Sequence, residues 1–215
     1  MGKRIAFLMW GLCLFGFGIV LTVKSNLGTA PWDVLHLGLT NYLPLTLGQV
    51  SQGCGALVIA LSWFLGVKPG WGSIANMIFI GFYIDFFMWL PFMPSPTSLP
   101  AQLFMLLLGI WIIGWASYFY LTAAFGAGPR DSFMVGAVAK TGQQVWLIRT
   151  LLESSVAIGG YFLGGPIGLG TIIIALTLGP SIQWAFRLRN ERPEDIQHRS
   201  FFKDSVKPLA KASNE

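Results

Sequence analysis

Charge is scarce in this chain, and that scarcity excludes most soluble architectures. The first 186 residues carry four acidic and seven basic side chains. Soluble domains hold about a quarter charged residues, against 11% here, and the mean hydropathy is +0.64. Cysteine is scarce too: Cys13 and Cys54 lie in apolar runs, where such residues pack as small hydrophobes. Two of them exclude a disulfide framework and supply no metal-ligand spacing. Also missing are a nucleotide-binding loop, an H-E-x-x-H pair, a nucleophile elbow and any Cys/His cluster. The expectation is therefore no catalysis, no cofactor, no metal and no nucleic-acid partner. The expected environment is the lipid bilayer.

What is abundant is apolar sequence in runs long enough to cross a membrane, for which about 20 residues suffice. Six such runs are expected, at 5–23, 47–65, 74–92, 103–121, 145–163 and 171–186. The first is expected to be retained, because Ser25-Asn26-Leu27-Gly28 offers no small-x-small cleavage site. Lys and Arg are held on the cytoplasmic side. With an even number of crossings, Lys3, Arg4, Lys68, Arg130, Lys140 and Arg187 share one side, and only Lys24 falls opposite. Both termini are thus expected to be cytoplasmic. The segment 187–215 holds seven basic and five acidic side chains, the composition of a solvated tail.

Two polar interruptions stand out. Gly28-Thr-Ala-Pro-Trp-Asp33 and Gly126-Ala-Gly-Pro-Arg-Asp131 lie 98 residues apart. The same spacing relates Phe64-Leu-Gly66 to Phe162-Leu-Gly164, Gly70-Trp-Gly-Ser-Ile74 to Gly168-Leu-Gly-Thr-Ile172, and Asp85 to Gln183. A constant register over so many positions points to duplication. Three crossings per half is an odd number, so the second half must enter the membrane inverted, as in many secondary transporters. The expected fold is an all-α membrane protein of two inverted three-helix repeats, residues 1–98 and 99–186, followed by the charged tail. Each repeat carries a short loop-helix, expected to be re-entrant, after its first crossing.

Pro31 and Pro129 suit the first position of a helix, with Ala30 and Gly128 before them. Asp33 and Asp131 then occupy the third position, where a side-chain oxygen can reach back to a free amide. Capping alone accounts for both aspartates. The alternative is a solute site at two helix N-termini, built from Gly28, Thr29, Pro31, Asp33, Gly126, Gly128, Pro129, Arg130 and Asp131. The free amides there favour an anionic group, and a guanidinium at Arg130 suits carboxylate or phosphate. Arg130 serves equally as a cytoplasmic anchor, and His36 as an interfacial polar residue.

Asp85, Arg149 and Glu153 lie inside expected crossings, where a charge costs about 2.5–3.5 kcal/mol on insertion scales and usually faces the protein interior. Arg149 and Glu153, four apart, can pair with each other. Asp85 has no partner visible in sequence, and its counterpart Gln183 is neutral, so Asp85 is the stronger candidate for coupling protons or cations. Gly11, Gly16, Gly18, Gly160 and Gly164 read as helix-packing positions.

The two Pro-x-Asp motifs resemble the signature of the YczE-like bacterial integral membrane proteins, relatives of the YitT group. The resemblance spans roughly residues 5–186 and implies a protein of the bacterial cytoplasmic membrane, without supplying a substrate. The expected function is a small secondary transporter or permease for a small solute, an anion among the candidates. The competing expectation is a non-transporting membrane partner that acts through its tail.

Overall fold

A computed structural model describes residues 2–126 and 128–191. Those residues form eight helices: α1 (Gly2–Lys24), α2 (Pro31–Thr40), α3 (Leu47–Phe64), α4 (Trp71–Trp89), α5 (Leu99–Ala123), α6 (Pro129–Thr141), α7 (Val145–Phe162) and α8 (Leu169–Leu188). Five of them, α1, α3, α4, α5 and α8, are long and apolar enough to cross a membrane. Helix α7 has the length but not the apolarity, because Arg149, Thr150, Glu153, Ser154 and Ser155 dilute it. The tail expected to dock partners lies, from residue 192 on, outside the described residues.

The helix starts follow local chemistry. Thr46 and Gln49 form a reciprocal capping box at α3. The amide of Gly70 donates to Ser73 Oγ, and that of Gly168 to Thr171 Oγ1, each at 3.2 Å. Pro31 and Pro129 open α2 and α6, behind Ala30 and Gly128 in extended backbone.

Helix α1 packs on α5, and these two form the centre; α4 lies against α1, and α8 against α5. Glycine makes that centre possible. A Cβ on Gly18 would lie 3.1 Å from the Gly109 carbonyl, and one on Gly109 would lie 2.9 Å from that of Gly18. Around this centre α2 packs on α7 and α3, and α6 packs on α3 and α7. Gly160 fills its expected role, because α2 backbone at Leu35 leaves no room for a Cβ there. Gly164 does not: α7 ends at Phe162, and Gly164 forms the turn beyond it with φ +82°.

Unusual backbone recurs at the spacing seen in the sequence. Positive φ occurs at Asn26 (57°) and Ala124 (56°), at Gly28 (100°) and Gly126 (122°), and at Gly66 (86°) and Gly164 (82°). Each pair is 98 residues apart. The hydrogen bonds between the motif loops and the long helices follow the same rule. Gly170 N–H donates to the Leu27 carbonyl (2.6 Å), and Gly72 N–H donates to the Phe125 carbonyl (2.8 Å). Each loop is thus tied to the start of a helix belonging to the other half of the chain.

Candidate functional site

The two motifs meet. Arg130, the second residue of α6, places its guanidinium carbon 4.6 Å from the centroid of the Trp32 ring, the second residue of α2. That is a cation–π distance. Arg130 keeps some accessible surface. Among the described residues its guanidinium makes no hydrogen bond and no ion pair. The carboxylates that act on it electrostatically are Asp33, then Glu153, then Asp131.

Asp33 is buried, and its Oδ1 lies 3.5 Å from Nδ1 of the equally buried His36. That separation is long for a hydrogen bond. The expected reach-back of Asp33 to a helix-start amide is not formed, and α2 begins without a side-chain cap. A buried carboxylate held by so little is costly. Asp131 is exposed and has its own partner. Three further buried polar atoms here lack a hydrogen-bond partner: Thr29 Oγ1, Trp32 Nε1 and His36 Nδ1.

Glu153 is half-buried on α7, the helix that packs on α2. Arg130 acts on the Glu153 carboxylate more strongly than Arg149 does. The pairing with Arg149 expected from their spacing is not formed within ion-pair distance; Arg149 is exposed. Helix α7 turns its glutamate inwards and its arginine outwards.

The remaining candidates lie elsewhere. Asp85 has two partners that the sequence could not reveal: the Thr46 hydroxyl donates to Oδ2 (2.5 Å) and the Gly48 amide donates to Oδ1 (2.8 Å). It clasps the start of α3 to α4. Gln183 is exposed and lines a shallow groove on α5 and α8 with Trp111 and Trp184. Among the glycines, Gly28 lies against Gly168 and Thr171, Gly126 against Gly70, and Gly128 near Asp131. Pro31, Pro129, Gly28, Gly126 and Gly128 therefore shape the backbone that delivers Trp32, Asp33 and Arg130. Trp32 is the residue that sequence reasoning left out. The signal was present in its register with Arg130.

Eight helices among the described residues, five of them long and apolar enough to cross a membrane, define a multi-pass membrane protein. The chain belongs to a family of unknown function, DUF6198, whose model matches residues 2–187. It is 36% identical over 196 residues to the uncharacterized membrane protein YczE of Bacillus subtilis (strain 168), covering 90% of this chain and 87% of that one. An uncharacterized protein of Haemophilus influenzae is 33% identical over 182 residues, covering 85% and 83%. The uncharacterized protein YyaS of Bacillus subtilis (strain 168) is 27% identical over 194 residues, covering 85% and 95%. No solved structure matches the chain.

Proposed function

We infer that the chain is a small secondary transporter or permease of the bacterial cytoplasmic membrane. In this reading it has six crossings, both termini in the cytoplasm, and two inverted halves. Lys3, Arg4, Lys68, Lys140 and Arg187 stand on the cytoplasmic side and Lys24 opposite. Arg130, stacked on Trp32 of the other motif, is left out of this count.

The inverted arrangement is supported by the exchange of contacts. Helix α1 relates to α4 as α5 does to α8, and α2 relates to α7 as α6 does to α3. The paired loop bonds at Leu27–Gly170 and Phe125–Gly72 obey the same exchange. Under this topology the first motif enters from the outer face and the second from the cytoplasm. Helices lying on opposite surfaces would be separated by a hydrocarbon core of about 30 Å. The contact of Trp32 with Arg130 therefore favours two re-entrant motifs that reach one depth.

A single observation carries the transport reading: a guanidinium with no hydrogen bond or ion pair among the described residues, stacked on Trp32 where the two motifs meet. Irregular backbone and charge at membrane depth are tolerated where they line a watery cavity, and inverted-repeat transporters bind solute at that junction. One half rocking against the other would expose the site alternately to each face. Reconstitution in proteoliposomes tests this. The Asp33→Asn variant is expected to insert and fold yet lose solute flux. Flux at the full rate in that variant would remove the site assignment.

A further inference from the structure

We propose that the site takes a small zwitterion bearing a carboxylate and an ammonium group, the carboxylate on Arg130 and the ammonium on Glu153. This rests on the reading of the cluster as a solute site and deepens it to a substrate class. The argument begins with two opposite charges that feel each other but do not touch. Arg130 stands where α6 meets α2, and α7, which carries Glu153, packs on both helices; across that junction the two charges act on one another. Among the described residues, however, no ion pair or hydrogen bond joins them, and neither has another such partner. Both keep accessible surface. Two opposite charges at one junction stay unpaired only where each is held in place. Arg130 is held by its stack on Trp32, and Glu153 by the backbone of α7, which is fixed to α2 through Gly160.

The charge balance narrows the class further. A purely anionic solute would gain Arg130 but meet three carboxylates, those of Asp33, Glu153 and Asp131. A purely cationic solute would gain Glu153 but leave the guanidinium unsatisfied beside it. A zwitterion satisfies both unpaired groups and leaves the net charge of the site unchanged. The unpartnered Thr29 hydroxyl and Trp32 indole N–H add polar contacts on the α2 side. An anion alone, the class that helix N-termini and a guanidinium favour, would leave Glu153 unmatched.

The test is a binding measurement on the full-length protein in detergent, followed by flux in proteoliposomes. Thermal unfolding is recorded with each of the twenty common amino acids, then with the N-acetyl and amide forms of those that stabilise. The expected result is a rise in melting temperature with one or more free amino acids, and a loss of roughly tenfold or more in affinity for either blocked form. The preferences should cross over in the variants. Glu153→Gln is expected to accept the N-acetyl form as well as the free amino acid, and Arg130→Gln the amide. Should Arg130→Gln fail to fold, Arg130→Lys serves, with weakened binding of every form that carries a carboxylate. No stabilisation by any amino acid, or equal affinity for free and N-acetyl forms in the wild type, would overturn the proposal. Stabilisation without flux would uphold the zwitterion site and remove the transport reading. Flux of some other solute without stabilisation would do the reverse.

Discussion

The Arg130 guanidinium lies 4.6 Å from the Trp32 ring, and the two residues occupy equivalent positions 98 apart. The same place in the repeated motif has thus become a cation in one half and the aromatic face that receives it in the other. A duplicated element that kept either residue in both halves would set two cations, or two indoles, against each other. The divergence makes the junction asymmetric, and Glu153, whose counterpart is Gly55, adds to that asymmetry from the same half as Arg130.

Trp32 is buried at 4% exposure and carries the stack. Trp32→Ala is expected to cost about 3–5 kcal/mol of stability, as for other large buried aromatics. Trp32→Phe keeps a ring and should recover most of it. Thermal unfolding of the purified variants checks the order, and equal losses would show that the ring face is unimportant.

The motif loops depend on backbone that only glycine adopts cheaply. At Gly28 (φ +100°) a Cβ would lie 2.5 Å from the Gly168 amide nitrogen, and at Gly126 (φ +122°) it would lie 3.1 Å from the Gly70 Cα. Both alanine variants are expected to be strained by about 1–3 kcal/mol each, with Gly28→Ala the worse for its closer clash. Folded yield by gel filtration measures this; an undisturbed Gly28→Ala variant would contradict the packing of that loop on α8.

Asp85 acts through Thr46 and Gly48. Asp85→Asn is expected to lose about 1–3 kcal/mol of stability, the cost of leaving such donors poorly paired, while solute affinity at a temperature where it stays folded is unchanged. A folded variant that binds tenfold more weakly would return Asp85 to the site.

In the proposed six-crossing topology the 94–98 loop and the turn after α7 lie on the outer face. With Cys13 and Cys54 replaced by alanine, single cysteines at the exposed Ser95 and Ile167 should react with an impermeant maleimide in intact cells. A cysteine at the exposed Lys140 should react only after lysis. Labelling of Ile167→Cys from inside alone would mean that α7 does not cross.

Much of the fold was legible because its signals are local. Pro after a small residue starts α2 and α6, and α3 and α7 begin at the expected Leu47 and Val145. Helices α4 and α5 start earlier than hydropathy suggests, at Trp71 and Leu99, since the turn chemistry at Gly70–Ser73 and Pro100 sets the start while apolarity builds up later. The site was less legible. Spacing brought Arg149 and Glu153 to one helix, but which neighbour each one faces depends on where α2 and α6 pack. Asp85 seemed unpartnered because its partners lie 37 and 39 positions away. The register of Trp32 with Arg130 was visible, whereas their contact required the two halves to be folded against each other.

That contact is also the most direct test of the whole account. In a cysteine-free chain with a protease site in the 94–98 loop, cysteines at positions 32 and 130 are treated in membranes with a bis-maleimide of about 10 Å reach, comparable to the width of a packed helix. Convergence of the two motifs predicts that the halves stay joined after proteolysis in the double variant and separate in each single variant. Halves that separate in a double variant shown to be folded and doubly labelled would mean that the motifs do not meet, and the site would fall with them.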